Sequence, residues 1–291
     1  MTSTGEMNAK HFILNRLYRL HFSYRVLKIS GDLRSFFIIL TLKDQSARVD
    51  QNKIARFPLK KFTIKNASKK YPLTLRNYSV DVFIFREIFL DQCYALPSEV
   101  RSFSGVFFDI GANVGLSSLL LTMTWPEIKI YAFEPLQNNY DLLVENTALS
   151  KKIVPLNLAI SKKTGEGEFA APIDGNLGQG FLDPHGTLRV PCVSIADFCR
   201  NEHITSLDLV KIDCEGCEYE VLFGLNQNIL KNIKVIIGEL HGDRAFELLH
   251  YLSQWFDIGV RKQYNVPYFT FTAANKKLEI SAKWPPQMLV K

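Results

Sequence analysis

The chain has no apolar run approaching the roughly 20 residues that a membrane-spanning helix needs. Its longest clean stretch near the start, Phe36-Phe37-Ile38-Ile39-Leu40, has the length of a buried strand and is read as one. Met1 to Lys10 lack the basic start and apolar block of a secretory signal, so the expected compartment is the cytoplasm. Cysteines are few and odd in number: five of them fit a reducing compartment better than a disulfide framework. Cys214 and Cys217 do form a C-x-x-C, but the upstream spacing from Cys192 to Cys199 matches no common pair of zinc ligands. Small buried thiols flanking a functional acid are the reading adopted for them. Internal repeats, low-complexity tracts and RNA- or DNA-binding motifs are missing as well.

What is present is the material of a soluble globular protein, 47% hydrophobic and 22% charged over 291 residues. The net charge of +6 is unevenly spread. Residues 1–80 hold 16 Lys and Arg against 4 Asp and Glu, and the remainder holds 19 against 25. A basic extension over residues 1–80 is therefore expected ahead of a second domain over 81–291. Its charge suits an anionic substrate, a membrane surface or nucleic acid, or is simply a solvated face. Within it Ile13, Leu17, Leu20, Tyr24 and Leu27 recur at helical spacing, interspersed with Arg16, Arg19, Arg25 and Lys28. That stripe is expected to pack onto its own domain, the alternative being peripheral contact with an anionic membrane. Residues 54–84 read as short β segments broken at Lys65-Asn66, Tyr71-Pro72 and Asn77-Tyr78, and a helix is expected around Asp81 to Tyr94.

From about Gly105 short apolar runs alternate with helical periodicity. Strands are expected at 106–110, 129–133, 153–160, 209–212 and 235–238, with helices at 116–124, 137–149 and 218–225. This alternation predicts an α/β fold with a doubly wound, mostly parallel sheet. Glu166 to Ala170 are expected to pair with Thr187 to Val193 as a β insertion. The glycine-rich segment 174–180 between them is either a loop closing over substrate or a surface turn.

The strongest local signal is Asp109-Ile110-Gly111-Ala112-Asn113-Val114-Gly115, between a strand and a helix. Glycines there let the backbone turn tightly against a ligand. The third glycine of G-x-G-x-x-G is missing, which disfavours a pyrophosphate on the helix N-terminus and hence a nicotinamide-dependent oxidoreductase. Glu134, 19 residues past Gly115 and at the end of the next strand, is placed to accept ribose hydroxyls. With Asp109 and Gly111 intact, it also disfavours a non-catalytic module.

Five blocks in register, Val106 to Gly115, Phe133-Glu134-Pro135, Asn157-Leu158-Ala159, Lys211 to Gly216 and Ile237 to His241, resemble the FkbM family of S-adenosylmethionine-dependent methyltransferases. The resemblance covers roughly residues 80 to 241 and leaves the basic extension outside. It implies a class I methyltransferase (Rossmann-like) fold with a seven-stranded sheet, and O-methylation of a sugar, glycan or small metabolite, an N-methyl acceptor being the nearest variant. Carried over by position, Asp109, Gly111, Ala112, Asn113 and Gly115 would hold the methionine part of S-adenosylmethionine. Glu134 and Pro135 would flank the ribose, and Asn157 to Ala159 the adenine. Cys214 and Cys217 stand where the family more often has small apolar residues.

Methyl transfer asks little of the protein, because the sulfonium is already an activated leaving group; positioning remains, plus a base if the acceptor must lose a proton. Asp213 and Glu215 are candidates for orienting the acceptor or the methionine amine, and His241, titrating near neutrality, is the candidate base. A divalent cation held by Asp213, Glu215 and Glu239 is the alternative weighed; no metal is expected.

Overall fold

The structure, a computed structural model, describes residues 3–44, 57–94, 96, 100, 104–170, 180–183, 185–262 and 268–278, with backbone alone for 3–15 and 262. The glycine-rich segment 174–179 and the side chain of Ile13 lie outside the described residues. Two compact units divide after Asp91, later than the boundary expected at residue 80.

The first unit, Met1–Asp91, holds α1 (Ser3–Ile29), α2 (Leu33–Thr41), an antiparallel pair β1 (Leu59–Asn66) and β2 (Lys69–Arg76), and α3 (Val80–Phe85) running on into a π-helical turn, Arg86–Leu90. Its core gathers Val26, Ile39, Phe62, Ile64, Leu73, Leu75 and Phe85, all nearly inaccessible. Three expectations fail here. Phe36 to Leu40 are helical, not a strand: the Asp32 carboxylate accepts from Ser35 N at 2.7 Å and caps α2, and Ser35 and Ile39, one turn apart, take the buried positions. The stripe Leu17, Leu20, Tyr24 and Leu27 does not pack onto the protein; each is more than half exposed, and α1 turns the opposite face, with Val26, inward. Tyr71-Pro72 is not a break either. It lies inside β2, where a two-stranded sheet leaves every strand an edge and proline is tolerated. The ion pair Arg76–Asp81 (2.8 Å, both buried) ties the start of α3 to β2, and so to the first unit.

The second unit, Gln92–Lys291, is built on a seven-stranded sheet. Its chain-order strands are β3 (Val106–Ile110), β4 (Lys129–Phe133), β5 (Ile153–Leu156), β10 (Leu209–Ile212), β11 (Val235–Leu240), β12 (Phe256–Lys262) and β13 (Phe269–Asn275). They lie in the order β12-β13-β11-β10-β3-β4-β5. The five from β5 to β11 are parallel, while β13 runs antiparallel between β11 and β12. The chain thus steps outward from β3 to β5 and returns to β10, so the strand order reverses between β3 and β10. Ligands of doubly wound sheets bind at that point, beyond the carboxyl ends of the strands.

Neighbouring residues Phe107 and Phe108 face opposite sides of the sheet. Phe107 meets Trp125, just past α4 (Leu116–Thr124), and Phe108 meets Phe198 of α6 (Ile195–Asn201). Helices α7 (Glu218–Gly224) and α9 (Ala245–Leu252) bury Leu222, Leu248 and Leu252 against the Phe108 side. This is the expected doubly wound α/β arrangement, with a sheet that is mostly parallel. The expected strand 153–160 is split. After Leu156 the Asn157 amide donates to the carbonyls of Glu134 and Pro135 (2.9 and 3.0 Å), and β6 (Ala159–Ile160) leaves for a second sheet. There β7 (Gly165–Ala170) pairs with β9 (Leu188–Val193) as the expected insertion, joined by the short β8 (Phe181–Leu182).

Candidate active site

The turn after β3 forms because three of its residues take positive φ: Gly111 (74°), Asn113 (49°) and Gly115 (88°). At Gly111 the requirement is also steric, since a Cβ there would stand 1.8 Å from the carbonyl oxygen of Asp213. The turn is pinned by Gly111 N and Ala112 N, which donate to the carbonyl of Phe133 at 3.1 and 2.9 Å. Asp109, fully buried, accepts from the Ser117 and Ser118 hydroxyls at 2.6 Å each and thereby anchors the first turn of α4.

Glu134, at the end of β4, bends back to the same turn. Its Oε2 accepts from Asn113 N at 2.9 Å, and its Oε1 from Leu136 N at 3.0 Å and Asn139 Nδ2 at 3.3 Å. Burial raises its carboxyl to about 7 against the pull of those donors. A carboxylate offers about four acceptor positions, so Oε2 keeps one for a hydroxyl. The Asn113 side-chain oxygen is buried without a hydrogen-bond partner, an acceptor ready for an amine or hydroxyl. Asn157 spends its amide on the Glu134-Pro135 backbone, and Ala159 packs with Leu136, Phe169 and Val190. Both shape the wall beside Glu134. A nucleoside carrying an amino-acid arm fits these residues.

Across the strand reversal lies a second group. Lys211 of β10 is buried, and its ammonium donates to Gly111 O at 2.7 Å and stands 3.3 Å from Asp109 and 3.5 Å from Asp213. Burial acts to lower its pKa, but the charges of Asp109, Asp213 and Glu239 outweigh it and hold the ammonium above its ordinary range. The buried Tyr94 hydroxyl lies 3.2 Å from Asp213 Oδ2 and 3.4 Å from Glu239 Oε1. His241, just past β11, has Nδ1 3.0 Å from the buried Glu218 carboxylate; its Nε2 faces Glu215 at 3.5 Å and Glu239 at 3.7 Å. Burial acts to lower the imidazole's pKa, but the hydrogen bond and charge of Glu218, then the charges of Glu215 and Asp213, raise it to about 9. Burial raises Glu215 to about 7 despite His241.

The loop that presents Glu215 is shaped by positive φ at Glu215 and Gly216 and by Glu218, which accepts from Cys214 N (3.2 Å) and Gly216 N (2.8 Å). Cys214 and Cys217 are half-buried and joined in a disulfide across this loop, not the buried free thiols expected; Cys192 and Cys199 are buried thiols. Asp213, Glu239 and His241 each bring a ligand-type atom to within 4.8 Å of the others, with the Lys211 ammonium beside Asp213.

The residues named from sequence therefore fall into two adjoining groups, one around Asn113 and Glu134 and one around Asp213 and His241, bridged by Lys211. Sequence reading gave no part to Lys211, Tyr94 or Glu218. The signal for Lys211 was a lysine inside the apolar run Leu209 to Ile212, where an ammonium requires buried partners.

A family model described as the methyltransferase FkbM domain matches residues 109–265, more than half of the chain. Hexuronic acid methyltransferase AglP of Haloferax volcanii is 28% identical over 138 residues, 47% of this chain and 56% of that protein. The chain thus matches little more than half the length of that relative. Methyltransferase sdnD of Sordaria araneosa is 28% identical over 224 residues, covering 60% of this chain and 85% of that one. The 31-O-demethyl-FK506 methyltransferase FkbM of Streptomyces tacrolimicus is 24% identical over 192 residues, covering 55% and 74%.

Proposed function

Since the chain belongs to the family of methyltransferases with an FkbM domain, we propose that it methylates a hydroxyl on a sugar, glycan or small metabolite, using S-adenosylmethionine. The observation that carries this reading is the bridge made by Lys211, whose one ammonium touches the glycine turn and the Asp213 carboxylate. It joins a pocket suited to a nucleoside to an acid–imidazole cluster suited to a hydroxyl. Two relatives support the acceptor class by name, one for a hexuronic acid and one for a 31-O-demethyl compound.

In this reading the Asn113 side-chain oxygen faces the methionine arm, Asp109 holds the turn beneath it through Ser117, Ser118 and Lys211, Glu134 accepts from the ribose, and Asn157 and Ala159 line the base. When bound, S-adenosylmethionine supplies an activated methyl group, so the protein's share is position and proton removal. Glu218 holds Nδ1 of His241 and leaves Nε2 to take the acceptor's proton. Asp213, Glu239 and the Tyr94 hydroxyl orient the acceptor, and Glu215 helps hold the imidazolium that results.

Thermal shift with S-adenosylhomocysteine, against NAD as control, tests the pocket; saturating ligand at about 100 times its Kd stabilises by about 2.7 kcal/mol. A shift with the first and not the second is expected, and Glu134→Ala should abolish it. Stabilisation by NAD alone sinks the reading. The acceptor class is tested with methyl-labelled donor on a panel of hydroxylated and amine-bearing acceptors, where label on nitrogen only would refute the O-methyl assignment.

A further inference from the structure

The first unit carries a surface that the proposed reaction does not use. Leu17, Leu20, Tyr24 and Leu27 are 57%, 62%, 55% and 54% exposed, and their spacing of three and four residues lines them along one face of α1. The inward face, marked by Val26, is on the other side of the helix. Arg16, Arg19, His21 and Lys28 are exposed around the stripe, and residues 16–31 contain no acid. The Lys28 ammonium lies 4.6 Å from the Tyr24 ring centroid, so a cation rests against an aromatic ring of the stripe. The β bridge between Ser30 and Ile64 brings the hairpin to the C-terminal end of α1, adding the exposed Lys65 beside that end, with Lys69 and Lys70 following in the hairpin.

We propose that this face of α1 docks on an anionic lipid bilayer, the apolar stripe entering the headgroup–acyl boundary and the basic rim meeting lipid phosphates. Basic residues beside an exposed apolar stripe match an anionic lipid surface in charge and offer it apolar area. Among the described residues no helix is long and apolar enough to cross a membrane, so the contact is peripheral. Charge favours lipid over a second copy of the chain: a self-complementary dimer through this stripe would set Arg16, Arg19 and Lys28 against their own copies with no acid between them. The inference is independent of the acceptor and of the methyl donor.

Flotation of the full chain with vesicles of phosphatidylcholine, with and without phosphatidylglycerol, tests it. The chain should float with the anionic vesicles only, and raising salt from about 0.15 M to about 1 M, which shortens the screening length from about 8 to about 3 Å, should release most of it. Leu20→Glu with Leu27→Glu changes only exposed positions, so the melting temperature should hold while flotation falls at least tenfold. Arg16→Glu with Lys28→Glu should lose anionic selectivity. No flotation of the parent chain, equal flotation on neutral vesicles, or undiminished flotation of a folded Leu20→Glu/Leu27→Glu variant each overturns the proposal. So does a dimer seen by light scattering that the same pair of substitutions dissolves, which would assign the stripe to a second copy.

Discussion

Replacing Glu218 by glutamine tests how the protein sets the proton on His241. The Glu218 carboxylate is fully buried, 3.0 Å from Nδ1, and its hydrogen bond and charge are the largest effects opposing the burial of the imidazole. The rise from 6.5 to about 9 corresponds to roughly 3 kcal/mol in favour of the imidazolium, at about 1.36 kcal/mol per unit. Glutamine keeps the shape and one acceptor oxygen but removes the charge. Burial is then opposed by an uncharged acceptor and the remaining nearby carboxylates, Glu215 and Asp213 foremost, and the imidazole should titrate at least about one unit lower. Ring nitrogen and proton NMR of the full chain reads this without any acceptor, with His241→Gln identifying the resonance among the six histidines. The sign for stability follows: a folded pKa above the unfolded one contributes fully below about 6.5 and is lost as pH climbs through about 9. Parent stability should therefore fall by up to roughly 3 kcal/mol over that window from this group, and by less in Glu218→Gln. If Nε2 is the base, about 1% of the enzyme is competent at pH 7 and about half at pH 9, so turnover should climb roughly fiftyfold between them. A parent imidazole titrating between 6 and 7, or one indifferent to the loss of the Glu218 charge, refutes the reasoning.

Lys211→Met should destabilise the second unit by about 3–5 kcal/mol, because Asp109 is left buried without its cation; a loss under 1 kcal/mol in chemical denaturation would show that the pair is not structural. Gly111→Ala should be worse tolerated than any exposed glycine change. Its φ of 74° is strained for alanine and the added Cβ would meet Asp213 O at 1.8 Å, so a melting temperature within a few degrees of the parent would contradict the tight apposition of the β3 and β10 turns.

Where a glycine or proline follows closely on a periodic segment, the sequence was legible almost to the residue. β3, α4 and β4 begin and end where periodicity places them, because each runs between punctuation that only one conformation satisfies. The failures share a cause, in that the deciding partner was distant in sequence or on the wrong scale. Phe36 to Leu40 look like a strand by composition, but the cap at Asp32 and the two buried positions Ser35 and Ile39 make the run helical. The α1 stripe has the right spacing, yet spacing cannot say which face finds a partner, and here a single valine and its neighbours took the inward side. β5 and β6 read as one strand because nothing local announces that the Asn157 amide will clamp the Glu134-Pro135 turn. The hairpin β12–β13 carries no motif at all and emerged only from the sheet.

The site residues divide in the same way. Asp109, Gly111, Asn113 and Glu134 were legible because one turn and one strand end bring them together, and their contacts are between the turn and the neighbouring strand. Lys211, Tyr94 and Glu218 act through contacts that span up to 145 positions, as between Tyr94 and Glu239. Their arrangement explains the charge of the site. Among the described residues, Asp109, Asp213, Glu215, Glu218 and Glu239 gather around two cations, Lys211 and His241, at the edge where the strand order reverses. Part of that excess is relieved at neutrality because burial holds Glu215 at about 7. The rest leaves an excess of negative charge around these side chains, felt more strongly where burial excludes water. Such a field favours a ligand that brings positive charge next to the glycine turn, and it stabilises an imidazolium at His241 once a proton has arrived. One cluster of carboxylates thus biases both halves of the site, which is why removing the Glu218 charge should be felt in the titration of His241 before any acceptor is known.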